Sequence, residues 1–123
     1  LKCPTIDVNV VNTYHQTPLF LASEYGRFMI TKLLLQHGVD INKADHNGKT
    51  PLYAASEKGN VEIVELLLQN GADLNFPDHV GETPLFISCR NASLEITKCL
   101  LERGADINIK NLDGFSSMDI AIF

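Results

Sequence analysis

The sequence predicts an all-α solenoid, a row of stacked helix-turn-helix units. Three observations predict it. Thr-Pro-Leu occurs at Thr17-Pro18-Leu19, Thr50-Pro51-Leu52 and Thr83-Pro84-Leu85, and a worn copy, Ser116-Ser117-Met118, follows at the same interval of 33 residues. A Gly-x-Asp-x-Asn signature keeps that phase at Gly38–Asn42, Gly71–Asn75 and Gly104–Asn108. Between these marks the apolar residues fall at helical spacing in two short runs per interval. A fixed interval of this length is the mark of a repeat array.

The unit from Asp45 to Pro77 shows why each element forms. Asp45-His46-Asn47-Gly48-Lys49 is a cluster of turn formers. Thr50 is suited to an N-cap, because its hydroxyl can accept from an orphan amide of the first turn. Pro51 fits the first helical position, where its missing N–H costs no hydrogen bond. The first helix is expected to run to about Lys58 and to end at Gly59. Asn60 is expected to cap a second helix from Val61 to about Gln69, ended by Gly71, and Ala72-Asp73-Leu74-Asn75 to lead as extended chain into the next turn. Leu52, Ala54 and Ala55 are the core residues of the first helix; Val61, Ile63, Val64, Leu66, Leu67 and Leu68 are those of the second. Helices this short span only about 12–14 Å and do not persist alone. Each unit therefore needs a neighbour to cover its apolar face, which is why the motif returns.

Three full units follow, at about 12–44, 45–77 and 78–110, as one repeat domain. Residues 1–11 read as the tail of a preceding unit, with Asp7-Val8-Asn9 matching Asp40-Ile41-Asn42, and 111–123 as a partial one. Starting at Leu1, the chain reads as a monomeric piece of a larger protein. Leu112, Ile120, Ile122 and Phe123 lack the second helix that would cover them, so Gly114–Phe123 is expected to fray.

Bulk properties narrow the function. Apolar content of 45% and charged content of 20% suit a soluble globular chain. A net charge of −5 disfavours nucleic acid and anionic membranes, which need a basic face. Runs such as Phe28-Met29-Ile30 and Leu33-Leu34-Leu35 are too short to span a bilayer. Cys3, Cys89 and Cys99 have no Cys-x-x-Cys spacing and read as free thiols of a reducing, intracellular compartment, cytoplasmic or nuclear. Cys99 is expected in the core and Cys89 to be less buried. The sequon Asn91-Ala92-Ser93 is expected to be unmodified in that setting.

The turn Asp and Gly, then Thr-Pro-Leu-x-x-Ala, then Gly38-Val39-Asp40-Ile41-Asn42 and its two copies resemble the ankyrin repeat over nearly the whole chain. The resemblance implies stacked helix-turn-helix units whose β-hairpin or turn tips project to one side. It also implies a concave face, formed by tips and first helices, on which such proteins bind other proteins. There are departures. Phe20, Tyr53, Phe86 and Asp119 stand where the family has His, and the aromatics are expected to pack between repeats. His15 replaces a turn Gly, where positive φ would be strained. Ala92 replaces the Gly ending a first helix, and Ser88 a small core Ala.

Candidate binding residues are those that vary between copies. At the tips these are Thr13, Tyr14 and Gln16; His46, Asn47 and Lys49; His79, Val80 and Glu82; and Leu112, Asp113 and Phe115. At the ends of first helices they are Glu24 and Tyr25, Glu57 and Lys58, and Arg90 and Asn91. Positions a rigid stack does not need for folding are free to suit a partner. Tyr14, Tyr25 and Arg90 are of the residue types that dominate interfaces. Lys49, Lys58 and Arg90 among Glu24, Glu57 and Glu82 point to a partner of mixed charge. Asn42, Asn75 and Asn108 each follow a Leu by eight residues, a context similar to that in which ankyrin-repeat asparagines are hydroxylated; the alternative is a purely structural turn role.

No catalytic, cofactor or metal role is expected. His46 and His79 recur one repeat apart, on the order of 10 Å, too far to share a metal. His37 suits the C-terminal end of a helix. Glu24 and Glu57 are likewise one repeat apart, and no phosphate loop or nucleophile elbow is present. The reading is therefore a protein-binding module, not an enzyme, with a structural spacer or a regulatory or targeting segment of a larger protein or enzyme as alternatives.

Overall fold

The computed structural model describes residues 8–121; the expectations for Cys3, Asp7, Ile122 and Phe123 lie outside them. Helices come in pairs: α1 (Pro18–Glu24) with α2 (Phe28–Gln36), α3 (Pro51–Lys58) with α4 (Val61–Gln69), and α5 (Pro84–Arg90) with α6 (Leu94–Glu102). A single helix, α7 (Ser117–Ala121), follows. No strand occurs among the described residues, and the tips are turns.

Each Thr-Pro acts as its chemistry dictates. Thr17, Thr50 and Thr83 accept at Oγ1 from the amides of Phe20, Tyr53 and Phe86, at 3.1, 3.2 and 3.3 Å. Such a cap is worth about 1 kcal/mol. The worn copy keeps its helix start by other means. Asp119 Oδ2 accepts from the Ser116 amide at 2.8 Å, and the Ser116 hydroxyl in turn accepts from the Asp119 amide at 3.4 Å. This reciprocal pair explains a carboxylate where the other units carry a ring.

The tips share one device. Asn12, Asp45, Asp78 and Asn111 each accept, through Oδ1, from the amides two and four residues on. Successive tips join by one backbone bond each, from His46 to Tyr14, His79 to Asn47 and Leu112 to Val80. At the loops beyond the second helices, Asn9, Asn42 and Asn75 accept from the amides of Asp40, Asp73 and Asp106, at 2.9, 2.9 and 2.8 Å. The loops at Asp40–Asn42, Asp73–Asn75 and Asp106–Asn108 are turns held by Asp side chains, not the extended chain expected at Ala72–Asn75.

The core runs through the stack. Leu19, Leu52, Leu85, Ile63, Ile96, Leu67 and Leu100 are buried almost completely. Burial of a side chain this size contributes about 1.5–3 kcal/mol. Ala54 and Ala55 are buried where helices approach, while Val61 and Leu66 are only half-buried. First helices pack against one another more extensively than second helices do. The first helices form the inner side of the stack and the second helices its outer side.

Asn60 does not cap α4 as expected. Its amide nitrogen donates to the carbonyls of Ser23 and Glu24 in the preceding repeat, at 2.8 and 3.2 Å. Satisfying orphan carbonyls at the end of α1 outweighs a local cap. His15 and Ala92 do adopt positive φ, 64° and 54°. Ser88 is accommodated better than expected: its hydroxyl donates to the Leu85 carbonyl and pairs with Thr97 Oγ1, each at 2.9 Å.

Candidate functional site

The first-helix ends and the tips carry the variable side chains on the inner side of the stack. Three apolar or aromatic ones in the first three tips and helix ends stand well out into solvent. Tyr14 is 67% exposed, Tyr25 65% and Val80 48%. Asn47 and Lys58 are exposed, and Glu24 is half-exposed. These six need not reorganise to meet a partner.

Other candidates are held by the fold. Glu82, read from sequence as a fingertip contact, is buried, and its carboxylate meets Arg90 Nη1 at 3.1 Å. The Asn111 amide reaches its other oxygen at 3.5 Å. Lys49 is only half-exposed; its ammonium lies 3.8 Å from Glu57 and 5.3 Å from the centre of the Tyr53 ring. Arg90 similarly lies 5.7 Å from the Phe86 ring centre. Phe20, Tyr53 and Phe86 are buried, and in two repeats a cation covers the ring. Burial, then the charges of Asp78, Glu82 and Glu57, push the Tyr53 hydroxyl well above its ordinary range.

His46 also turns back on its own stack. Its Nε2 is 2.8 Å from the Thr13 carbonyl, and its ring faces that of His15 with centroids 5.4 Å apart. His79 rests on Gly48, where a Cβ would stand 2.6 Å from His79 Cδ2. Gly48 therefore answers both to a φ of 77° and to this close approach. Gln16 accepts from the Asn12 amide at 2.9 Å, and Asn91 donates to the Glu57 carbonyl at 3.2 Å. At the C-terminal tip, Leu112 is 78% exposed and Phe115 45%, and Asp113 is exposed too.

The asparagines differ in access. The Asn42 and Asn75 side chains are half-buried and bridge repeats through their oxygens, whereas Asn108 is exposed. Cys89 and Cys99 are both half-buried against the core, and burial pushes both thiols up, away from the reactive thiolate. Among the described residues no three His, Cys, Asp or Glu side chains are grouped to hold a metal. None of the helices among the described residues is long and apolar enough to cross a membrane.

The charge pairs across each inner face were missed from sequence, although a signal was there. Residues eight apart at the tip and the first-helix end carry opposite charges in two successive repeats.

A stacked array of helical hairpins, each begun by a Thr-Pro cap, defines a helical repeat protein. The family model described as "Ankyrin repeats (3 copies)" matches residues 1–78 and 44–111, and the chain belongs to the ankyrin repeat family. Ankyrin repeats are in general protein–protein interaction modules. A comparison with curated proteins matched none.

Proposed function

We propose that this chain binds a partner protein through its inner face, without chemistry of its own. The observation that carries this is the set of exposed side chains there that the fold leaves unengaged, led by Tyr14, Tyr25 and Val80. Two rigid tyrosines supply contact area at low entropic cost, the chemistry of interface anchors. The ion pairs Lys49–Glu57 and Glu82–Arg90 leave the centre of the face nearly neutral. Complementarity of shape and apolar contact then outweighs a net field, and the partner need not be strongly charged.

The test uses two variants in affinity capture. One changes Tyr14, Tyr25, Lys58 and Val80 to Ala; the other changes Met29 and Leu94, exposed on the outer helices, to Ala. Capture lost only with the first set supports the inner face. Capture lost only with the second moves binding to the outer helices, and capture unchanged by both favours the spacer reading.

Asn108 is the asparagine best placed for hydroxylation, because it is exposed and no following repeat engages its side chain among the described residues. Incubation with an asparaginyl hydroxylase and peptide mass spectrometry would show one added oxygen there before Asn42 or Asn75. Equal rates at all three would overturn that preference.

A further inference from the structure

The chain holds two Asn-Gly pairs, Asn47-Gly48 and Asn70-Gly71. Such a pair has a chemistry of its own. Glycine has no side chain to shield its amide nitrogen, which can attack the carboxamide carbon of the asparagine before it. A C–N bond forms there, the bond to the side-chain nitrogen breaks, and ammonia leaves, giving a cyclic imide. Water then opens the imide at either carbonyl. One product is aspartate; the other is isoaspartate, whose main chain runs through the former side chain. Water is the only other reactant, and asparagines count among the thermolabile residues of proteins for this reason. The attack requires the asparagine ψ to rotate until the nitrogen faces the carboxamide, so backbone restraint sets the rate.

The stack restrains the two pairs differently. The Asn47 amide donates to Asp45 Oδ1 at 2.9 Å, and its carbonyl accepts from the His79 amide of the next tip at 2.9 Å. Gly48 is buried, its amide donates to the Asp45 carbonyl at 3.0 Å, and the His79 ring fills the space beside its Cα. Rotation at Asn47 therefore has to part the tips of two repeats. Asn70 closes α4 with φ −98° and ψ 13°. Both Asn70 and Gly71 are exposed, and a Cβ at Gly71 would meet nothing within 4 Å. Among the described residues their hydrogen bonds go only to the last turn of α4. The Asn70 amide donates to the Leu66 and Leu67 carbonyls at 3.2 and 3.1 Å, its Nδ2 to Leu66 at 2.8 Å, and the Gly71 amide to Leu68 at 3.2 Å. Exposed helix ends fray without the rest of the structure opening.

We propose that Asn70-Gly71 is a site of spontaneous deamidation in the folded protein, and that the seating of His79 on Gly48 protects Asn47. The change at Asn70 is not silent. The other repeats carry His37 and Arg103 at this place, bases that suit the C-terminal end of a helix. Deamidation puts a carboxylate there, against the dipole of α4, and removes the donor to the Leu66 carbonyl. Isoaspartate also adds a backbone methylene just ahead of Gly71, whose φ of 86° ends the helix. Its free α-carboxylate is the group that isoaspartyl carboxyl methyltransferases esterify, so the aged chain becomes a substrate for that class of enzyme. The inference does not depend on inner-face binding, since Asn70 ends an outer helix.

The test incubates the whole chain in mildly alkaline buffer and follows the two Asn-Gly peptides by mass spectrometry. Methylation by an isoaspartyl methyltransferase with labelled S-adenosylmethionine counts the isoaspartate in each. A parallel sample is unfolded in guanidinium chloride. The expected result is that Asn70 reacts about tenfold or more faster than Asn47 in the folded chain, and that the two rates come within about threefold of each other in the unfolded one. His79→Ala, which uncovers Gly48, should speed reaction at Asn47 and leave Asn70 unchanged. Asn70→Asp should melt at a lower temperature than Asn70→His. Equal rates in the folded chain, a faster Asn47, or an Asn70 that stays intact while the unfolded chain deamidates would overturn the inference. An Asn47 rate unmoved by His79→Ala would overturn the protection assigned to that ring, and equal melting of the two Asn70 variants the effect assigned to the carboxylate.

Discussion

Glu82 and Arg90 form an ion pair at 3.1 Å across two positions that, one repeat earlier, hold Lys49 and Glu57 at 3.8 Å with the signs exchanged. The two pairs differ in setting. The Glu82 side chain is 11% exposed, whereas Lys49 and Glu57 are 28% and 30% exposed. Arg90→Ala leaves a buried carboxylate with only the Asn111 amide for company. Because Arg90 is itself 46% exposed, water screens part of the pair, and a loss of about 1–2 kcal/mol is expected in urea denaturation. Lys49→Ala should cost less, about 0.5 kcal/mol. Equal losses from the two would show that burial of Glu82 does not set the difference.

Ser23 and Ser56 are fully buried, and their hydroxyls have no hydrogen-bond partner. Replacing either with Ala removes a desolvated polar group, so each change should stabilise by about 0.5–1 kcal/mol. Ser88 is the contrast, since its hydroxyl bonds Leu85 and Thr97. Ser88→Ala should destabilise, leaving Thr97 short of a partner. Thermal melts of the three variants read the signs directly, and destabilisation by Ser23→Ala or Ser56→Ala would point to a bridging water instead.

Ala92 holds a φ of 54° at an exposed turn where the other repeats carry Gly26 and Gly59. Ala92→Gly relieves a conformation that costs an L-residue about 1–2 kcal/mol. Part of that gain is lost to the greater freedom of glycine in the unfolded chain. A net gain of about 0.5–1 kcal/mol is expected from the shift in urea midpoint. A loss would mean that the unfolded-state effect is the larger.

The Asn75 side chain links two repeats through the Asp106 amide. Asn75→Ala should cost about 1 kcal/mol and speed hydrogen exchange at Asp106, while exchange at Asp73, bonded to Asn42, stays slow. Unchanged exchange at Asp106 would show that this bond does not hold the repeats together.

The Asp119 carboxyl is held below its ordinary range, first by the Ser116 amide and then by the Ser116 hydroxyl. Its folded value lies below its unfolded one. The stabilisation of α7 is therefore present above the unfolded value and is lost as pH falls through the folded value. The Ser116 amide resonance should shift as pH drops below about 4, and exchange across 114–121 should rise with it. Asp119→Asn should flatten that response. A pH-independent Ser116 signal in the unchanged protein would argue against the reciprocal cap.

Much of the fold was legible because its causes are local. Thr50 and Pro51 meet the needs of a helix start within four residues, and the 33-residue interval follows from units that cannot bury their own apolar faces. The strain at His15 was legible too, since positive φ depends on the residue's own Cβ. The candidate site was less so. His46 and Glu82 occupy variable positions but are engaged by Thr13 of the preceding repeat and by Arg90, and variability alone does not distinguish a free side chain from one already paired within the stack.

The sequence by itself determined the repeat, its phase, the helix starts and most of the core, because these follow from short-range sterics, capping and apolar spacing. Only the tertiary structure decided which polar side chains the stack consumes. Asn60 reaches back to Ser23 and Glu24 instead of capping α4, and Asn42 bridges to Asp73. Those partners lie 31 to 37 residues apart and meet only once the units have stacked. Hydrogen bonding then goes to whichever orphan amide or carbonyl the neighbouring repeat presents.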